Sequence, residues 1–394
     1  MSRCQTVQAG LVSICRSAAV AAILTATSIV GAAPGQSYYV VQELPPLSGG
    51  STSRALGLNE FGDVVGVSNA PAGLHRGVLW RDGQVIQIAG SSNSGDSSAT
   101  AINDAGVAVG LDGVFGSNAY TWQDGVGIPL ETFIDCCSEA LDINEDGLVV
   151  GYAAVGGFGN YQAAKWENGE VHSFGFYGRA RAVNELDQIV GTQYITWAGG
   201  FLAEGDVITP LGTLGGNTSE AFDINNQAQI VGRSNTADGE SHPFLWQDGA
   251  MTSLGTLPGT DTGTAFAINN QGVAVGETFL YDIFDFRATL WQPGELPIDL
   301  NNYVVTDEDW LLEAAHDIND AGQIVGEGRY NGQRRAFLLT PMSTLGDLDG
   351  DGDVDQADLG ILLASYGKDA GGDLDGDGDT DQADLGILLA NYGS

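Results

Sequence analysis

Twelve aspartates near the carboxyl end of the sequence fall into two sets with the same internal spacing. Each set fits a twelve-residue calcium loop, which needs side-chain oxygens at positions 1, 3 and 5, a backbone carbonyl at 7, usually a water-bridged group at 9 and a carboxylate at 12. The aspartates of the first loop are Asp347, Asp349, Asp351, Asp353, Asp355 and Asp358, and those of the second are Asp373, Asp375, Asp377, Asp379, Asp381 and Asp384. Gly352 and Gly378 stand at position 6, where the loop turns sharply. The sequence therefore predicts two calcium ions, one in each loop.

An apolar run follows each loop, at residues 359–363 and 385–389. The spacing of Leu359, Leu362 and Leu363 predicts a helical face through which the two halves pair. Residues 347–394 carry 13 aspartates and one lysine, so we expect this segment to stay largely unfolded until calcium binds. A solvated acidic linker is the simpler alternative, but it does not explain two copies in matching register.

This tail resembles a type I dockerin, a module of two loop-helix units with near-twofold symmetry. The resemblance spans residues 347–394 and implies docking on a cohesin-like module or another cell-surface component. Gln356-Ala357 and Gln382-Ala383 occupy positions that commonly contribute to partner choice, and their identity would permit two binding orientations. The tail departs from the family in having only Lys368 as a basic residue near the helix ends.

The preceding part of the chain is organised by a repeat, roughly A-x-x-I-N-x-x-G-x-x-V-G, that recurs seven times. Its asparagines are Asn59, Asn103, Asn144, Asn184, Asn225, Asn269 and Asn319. A second pattern, an apolar strand that usually ends in tryptophan, follows each copy. These strands end at Trp80, Trp122, Trp166, Trp197, Trp246, Trp291 and, in the last copy, Leu339. We expect the asparagines to cap turns and the tryptophans to fill space between repeats.

Each repeat is predicted to contain four short strands, which in the fifth copy are residues 207–211, 221–224, 229–231 and 243–246. Turns of the Asn-x-x-Gly type join the second strand to the third, and turns such as Asp248-Gly249 lead from the fourth strand to the next repeat. A four-stranded unit of about 40 residues matches a β-propeller blade better than a helical solenoid. We therefore predict an all-β, seven-bladed propeller at residues 38–340, a linker at 341–346 and a small α-helical calcium-binding module at 347–394.

Three segments of the fifth repeat resemble the HAF-type extracellular repeat: LGTLGG at residues 211–216, AFDIN at 221–225 and HPFLW at 242–246. The resemblance covers about residues 38–340 and is weakest in the fourth repeat. It implies a secreted bacterial protein and names no chemistry.

Because both classes of tight turn share one face of the predicted propeller, the long loops lie on the other face. The aromatic residues expected there are Tyr152, Phe158 and Tyr161 in the third repeat and Phe279, Tyr281, Phe284 and Phe286 in the sixth. Such residues would suit stacking on sugars or gripping a protein loop. Alternatively, they cover blade edges.

The amino terminus and the charge balance indicate the compartment. Residues 1–42 contain no acid, and Arg3 and Arg16 precede a weakly apolar run that ends in small residues, so residues 1–33 are predicted to be a secretory signal peptide. No membrane span is expected, because no segment reaches about 18 apolar residues. Lys+Arg 14 against Asp+Glu 51 gives a net charge of −37, which disfavours nucleic acid as a partner. The adjacent Cys136 and Cys137 are either two thiols or a vicinal disulfide.

Three classes of function remain. The preferred one is a secreted, non-catalytic binding or adhesion protein that uses the long-loop face, with a polysaccharide or a protein as ligand. The second is a carbohydrate-active enzyme, a glycoside hydrolase or polysaccharide lyase, because the abundant acids leave room for a catalytic carboxylate pair. The third is a structural surface component. The histidines show neither metal-ligand nor triad spacing; they are His75, His172, His242 and His316.

Overall fold

The computed structural model describes residues 39–70, 74–88, 96–113, 118–134, 136–156, 159–194, 199–280, 284–305, 309–341, 346–348, 353–368, 372, 374 and 379–393. The predicted signal peptide lies outside these residues. Within them, no helix has the length and apolar character needed to cross a membrane.

The repeat region consists of short β-strands in small sheets. Its strands are β1 (Tyr39–Leu44), β2 (Ser53–Leu58), β3 (Val64–Asn69), β4 (His75–Arg81), β5 (Gln84–Ile88), β6 (Ser97–Ile102), β7 (Ala108–Asp112), β8 (Asn118–Gln123), β9 (Val126–Pro129), β10 (Ser138–Ile143), β11 (Val149–Ala154), β12 (Tyr161–Glu167), β13 (Glu170–Val183), β14 (Ile189–Gln193), β15 (Gly199–Glu204), β16 (Val207–Pro210), β17 (Gly215–Ile224), β18 (Ile230–Thr236), β19 (Ser241–Gln247), β20 (Ala250–Ser253), β21 (Thr262–Ile268), β22 (Ala274–Leu280), β23 (Asp285–Trp291), β24 (Ile298–Asp299), β25 (Val304–Val305), β26 (Trp310–Ile318), β27 (Ile324–Tyr330) and β28 (Gln333–Pro341). A 3-10 turn spans Leu300–Asn302, and the tail contributes α1 (Gln356–Ser365) and α2 (Gln382–Asn391). The all-β class predicted for the repeats is confirmed.

Most sheets contain four strands in chain order: β2–β5, β6–β9, β17–β20 and β21–β24. Strands β10–β16 form one seven-stranded sheet, because the long strand β13 pairs with β12 through its first half and with β14 through its second. The last sheet has the order β25-β1-β28-β27-β26, in which β1 runs antiparallel to β28. The first and last strands of the repeat region therefore belong to one sheet.

The grouping of strands differs from the sequence prediction by one position. Residues 207–211 were expected to open the fifth repeat, but β16 (Val207–Pro210) pairs with β15 and forms the edge of the preceding sheet. The turn at Asp248-Gly249 likewise joins β19 to β20 within one sheet. Both turn residues have positive φ, 51° and 83°, which suits a tight hairpin between antiparallel neighbours. Because a tight hairpin joins adjacent strands of one sheet, the strand after each such turn belongs to the preceding sheet and does not open the next repeat.

Each repeat carries a β-bulge on the strand that leads into its asparagine turn. In β17 the pairing with β18 shifts between Ala221 and Asp223, which leaves Phe222 as the extra residue. The motif glycine Gly232 lies opposite, and a Cβ atom there would stand 2.0 Å from the Glu220 carbonyl oxygen. The bulge residues of the seven repeats are Leu56, Thr100, Leu141, Arg181, Phe222, Phe266 and His316. The V-G motif is therefore a packing requirement of the bulge.

The seven motif asparagines form a closed cycle of hydrogen bonds. Each side-chain amide donates to the main-chain carbonyl of the next motif asparagine, at 2.9–3.2 Å, and Asn319 donates back to Asn59. In the fifth repeat the Asn225 Oδ1 atom also accepts from the N–H groups of Gln227 and Gln229. The predicted capping of these turns is confirmed, and the same side chains link each repeat to the next.

The tryptophan strands supply the apolar contacts between sheets. Trp80, Trp122, Trp166, Trp246 and Trp291 are buried, as is Leu339 in the last copy. Indole N–H groups donate to main-chain carbonyls of the preceding connection, for example from Trp166 to Glu131 at 2.7 Å. Burying each large apolar side chain contributes roughly 1.5–3 kcal/mol, so this position is a main source of stability in each of these six repeats. Trp197 lies outside the described residues.

Candidate functional site

Seven of the twelve predicted calcium ligands fall within the described part of the tail. They are Asp347, Asp353, Asp355, Asp358, Asp379, Asp381 and Asp384. The other five, Asp349, Asp351, Asp373, Asp375 and Asp377, lie outside the described residues.

Each loop ends where its helix begins, and the last two acids of the loop build that start. Asp355 caps α1 by accepting a hydrogen bond from the Ala357 N–H at 2.6 Å. The buried Asp358 accepts from the N–H groups of Asp355 at 2.7 Å and Leu348 at 2.6 Å. An acidic capping box of this kind satisfies backbone donors that the first turn leaves free. It also holds the carboxylate at loop position 12 in place.

The second loop repeats this arrangement. Asp381 caps α2, and the buried Asp384 accepts from the N–H groups of Asp381 at 2.7 Å and Leu374 at 2.6 Å. In both loops the structure brings three predicted ligands together, with one carboxylate oxygen from each lying within 4.8 Å of the others. The triads are Asp353, Asp355 and Asp358 in the first loop and Asp379, Asp381 and Asp384 in the second.

Such triads suit a hard divalent cation. Three carboxylates at this separation repel one another strongly unless a cation lies between them. A donor set of oxygen atoms alone favours calcium or magnesium over zinc or copper. Asp353, which was expected to offer its main-chain carbonyl, also brings its carboxylate to the cluster.

The two halves of the tail contact each other reciprocally. The Gly393 N–H after α2 donates to the Val354 carbonyl in the first loop at 2.8 Å, and the Gly367 N–H after α1 donates to the Thr380 carbonyl in the second at 2.9 Å. Val354, Leu362 and Leu388 are buried between them. Each acidic loop is therefore held by the residues that follow the helix of the other half.

The prediction that Leu363 belongs to the helical face between the two halves is wrong. Leu362 is buried and Leu359 partly so, but Leu363 is 52% exposed, as is Leu389 at 55% in the second helix. Two ten-residue helices meet over a short length, and Leu363 falls on the far side of α1. The exposed Leu363 and the half-exposed Tyr366 form an apolar strip at the end of α1. Leu389 and Tyr392 form the equivalent strip at the end of α2.

A second group of chemically active side chains lies on the repeat region, at and beside the bulges that precede the asparagine turns. Arg181, a bulge residue, places its guanidinium 4.4 Å from the centre of the Phe222 ring, and Arg233 lies 5.9 Å from the same ring. Glu220 lies 3.6 Å from the Arg181 guanidinium and 3.0 Å from that of Arg233. Arg179 stacks 4.4 Å from the centre of the Tyr152 ring. We call Arg179, Arg181 and Arg233 the arginine cluster.

Carboxylates continue from this cluster onto the sixth and seventh repeats. The pKa of Glu277 is raised to about 7, mainly by burial and also by the nearby Glu327 and Glu313, while Arg233 acts in the opposite direction. Although burial acts in the opposite direction, the pKa of Glu327 is lowered, because His316 and Arg334 favour its charged form. His316 lies 3.7 Å from Glu327 and 5.4 Å, centre to centre, from the Phe266 ring.

Sequence reasoning missed this group because its members come from four repeats. Arg181, Phe222, Phe266 and His316 are bulge residues of consecutive repeats. The signal that was available is their position, since each stands three residues before a motif asparagine. Aligning the repeats on that asparagine collects them in one column.

The aromatic residues expected on the long-loop face pack largely on one another. Tyr152 and Tyr161 meet edge to face at 5.2 Å, and Phe279 stacks on Phe286 at 4.3 Å. Phe284, also in contact with Phe279, is 76% exposed. Phe158 and Tyr281 lie outside the described residues.

One histidine does lie between a serine and a carboxylate. His242 Nδ1 is 3.3 Å from Ser253 Oγ, and Nε2 is 3.4 Å from Glu240. In the third repeat the equivalent pair is Ser173 and Gln162, also hydrogen-bonded. A glutamine cannot act as a base, so the contact is a cross-strand feature of the repeats.

Cys136 and Cys137 are joined in a disulfide, which resolves the alternative left open by the sequence.

No family model matches the chain, and no curated protein matches it. Among solved structures, an acylaminoacyl peptidase from Pyrococcus horikoshii aligns with 76% of this chain and 53% of its own at a TM-score of 0.49 and 11% identity. A puromycin-hydrolyzing peptidase from Mycobacterium tuberculosis aligns with 74% of this chain and 53% of its own at 0.41 and 11%. A gluconolactonase from Xanthomonas campestris aligns with 77% of this chain and 95% of its own at 0.38 and 10%. The chain spans about half the length of the two peptidases.

Proposed function

We propose that residues 38–340 form a closed seven-bladed β-propeller with one blade for each repeat. The closed asparagine cycle and the pairing of β1 with β28 support this reading. The long strand β13 then serves two blades in succession, with its first half at the outer edge of the third and its second half innermost in the fourth.

We further propose that the chain is a secreted calcium-binding protein with a non-catalytic binding or adhesion role. The propeller would bind its ligand through the face opposite the asparagine turns, and the dockerin-like tail would attach it to a cohesin-like or cell-surface partner. The observation that carries this proposal is the pair of equivalent carboxylate triads, each fixed at the start of a helix and held by the other half of the tail. Symmetric loops of this kind suit two cations and a folded tail that depends on both.

Calcium fits the triads better than magnesium does. Calcium accepts six to eight oxygen ligands with flexible geometry, whereas magnesium demands a tight octahedron and keeps several waters. The aspartates of each loop would supply the side-chain oxygens, with Asp358 and Asp384 closing the two loops. A bound cation removes the repulsion among the carboxylates, which couples binding to folding of the tail.

Calorimetric titration of the full chain with calcium tests this proposal. We expect about two calcium ions per chain, and none for the double variant Asp358→Asn with Asp384→Asn. The matched control, Asp206→Asn with Asp238→Asn, removes the same charge from exposed positions in the repeats and should bind calcium as the parent does. A parent chain that binds no calcium would overturn both the metal assignment and the dockerin-like tail.

Attachment through the tail is tested separately with an immobilised cohesin module. Capture should require calcium and disappear in chelator. Calcium binding without any capture would leave the tail a calcium module and point to a different surface partner. Exported protein lacking residues 1–33 would support secretion, and intracellular retention of the full chain would contradict it.

A carbohydrate-active enzyme is the second candidate, favoured by Glu277 and Glu327. Their pKa values shift in opposite directions, as an acid and an ionised carboxylate in one active site require. Release of reducing or unsaturated sugar ends from polysaccharides, abolished in Glu277→Gln, would favour this candidate. Binding without product release favours the adhesion role.

A further inference from the structure

We propose that the arginine cluster binds the carboxylate of an acidic oligosaccharide that ends in a uronic acid. This inference rests on the proposed function, since it names the ligand class of the propeller's binding face. The part of the ligand that would be recognised is a planar carboxylate on a sugar ring, followed by hydroxyl groups.

The local charge balance is the first argument. The chain carries a net charge of −37, yet three arginines gather on neighbouring repeats. Arg181 and Arg233 share one carboxylate partner, Glu220. Among the described residues Arg179 has no acidic group within ion-pair distance, and the nearby Glu139 accepts the Tyr152 hydroxyl. Positive charge therefore exceeds negative charge at this point of an otherwise acidic protein.

The burial of Arg181 is the second argument. Its side chain is 22% exposed, and within the described part of the chain its buried Nε has no hydrogen-bond partner. Burial lowers the pKa of this guanidinium, and Arg179 and Arg233 act in the same direction, while Tyr194 and Glu220 oppose them. A buried charged donor without a partner costs free energy, which an anion at the cluster would recover.

The orientation of the guanidinium groups is the third argument. Arg179 lies over Tyr152 and Arg181 over Phe222, so aromatic rings hold one face of each group. Two ring-held guanidinium groups supply planar forks of N–H donors, and a fork of this kind matches a carboxylate with two parallel hydrogen bonds. Stacking fixes the arginines before a ligand arrives, which reduces the entropy lost on binding.

The surrounding groups narrow the ligand to a sugar acid. Phe222 and Phe266 pack edge to face at 5.6 Å and lead from the arginine cluster towards Glu277 and Glu327. Aromatic faces suit the apolar side of a sugar ring, and carboxylates accept hydrogen bonds from hydroxyl groups. A long polyanion is disfavoured, because beyond the cluster its further charges would meet these acids and the net negative field. A ligand with one anionic group followed by neutral hydroxyl-rich units would match both the arginine cluster and the carboxylates beyond it.

Calorimetric titration of the calcium-loaded full chain tests the inference. The probes are an oligosaccharide of neutral galactose units with a galacturonic acid at its non-reducing end, and the same oligosaccharide with galactose in that place. We expect the acidic probe to bind at least about tenfold more tightly than the neutral one. Arg181→Gln and the more exposed Arg233→Gln should each abolish that preference. The matched control Arg287→Gln removes an arginine from the sixth repeat, outside the cluster, and should keep the preference.

The outcomes separate this inference from the function on which it rests. Equal binding of both probes, unchanged in Arg181→Gln and Arg233→Gln, overturns the uronate site but supports sugar binding by the propeller. Binding of neither probe, with no signal on an array of neutral and acidic glycans, overturns sugar binding as well. Tight binding of a peptide through its terminal carboxylate, lost in Arg233→Gln, would overturn the assignment of a sugar ligand. Unfolding temperatures of all variants are measured first, and Arg233→Gln decides the result if Arg181→Gln does not fold.

Discussion

The side-chain amide of Asn319 donates a hydrogen bond to the main-chain carbonyl of Asn59 at 3.1 Å, although 260 positions separate the two residues in the sequence. The next residues repeat the link, since the Asp320 N–H donates to the Glu60 carboxylate at 2.9 Å. The second bond closes a second cycle, in which the N–H of each residue after a motif asparagine donates to the side chain of the equivalent residue in the next repeat. Contacts between the ends of the repeat region therefore match those between any two neighbours.

We predict that Asn319→Ala destabilises the repeat region by roughly 1–3 kcal/mol, because it leaves buried main-chain groups of two repeats without partners. Urea unfolding followed by tryptophan fluorescence would measure the loss. Asn160→Ala, at an exposed position outside the cycle, should change stability by less than about 0.5 kcal/mol. Equal stability of the two variants would contradict the structural role of the cycle.

The glycine opposite each bulge gives a second prediction. Gly232→Ala should destabilise the chain strongly, by more than about 2 kcal/mol, because its Cβ would stand 2.0 Å from a main-chain oxygen that cannot move without breaking the bulge. Gly360 in α1 has open space at the Cβ position, so Gly360→Ala should stabilise the tail by about 0.5–1 kcal/mol. Thermal unfolding of both variants in calcium would check the contrast in sign.

Three acids on the inner strands predict a dependence of stability on pH. Burial raises the pKa of Asp142 to about 7 and that of Asp223 to about 6, and it raises the pKa of Asp317 well above its ordinary value. The folded chain therefore holds these protons more tightly than the unfolded chain does. The resulting stabilisation is fully present below about pH 4 and is lost as the pH rises through 6 and 7.

We accordingly expect the free energy of unfolding to fall between pH 5 and pH 8, as measured by urea unfolding. Asp142→Asn, which cannot ionise, should reduce the slope, and the exposed control Asp238→Asn should not. Stability that rises over this range, or a slope unchanged in Asp142→Asn, would show that these carboxyl groups ionise freely in the folded chain.

The buried contact between the two halves of the tail gives the fourth prediction. Leu388 is fully buried and its neighbour Leu389 is 55% exposed on the same helix. Leu388→Ala should cost about 2 kcal/mol or more of the folded tail and lower the calcium affinity of the full chain by at least about tenfold. Leu389→Ala should bind calcium as the parent does. Calorimetric affinities that are the same for both variants would contradict the coupling of the two loops.

Local patterns were sufficient to predict the strands, the asparagine turns and the two helices of the tail, because short-range chemistry determines each of them. The grouping of strands into sheets was missed by one strand, since a hairpin turn such as Asp248-Gly249 looks the same within a sheet and between sheets. Leu363 was misplaced because helical spacing alone does not show how far two short helices overlap. The arginine cluster depends on which repeats become neighbours and on the bulge that redirects Arg181, and neither is a local property.

The sheet shared by β1 and β28 also makes the order of synthesis matter. A ribosome delivers Tyr39–Leu44 almost three hundred residues before Gln333–Pro341, so the sheet that contains both strands remains incomplete throughout that interval. The early strand must wait as an unpaired edge, and the last repeat gains its outer strand only after the whole repeat region has emerged. Completing this sheet is thus a late step that joins the first strand of the repeat region to the last.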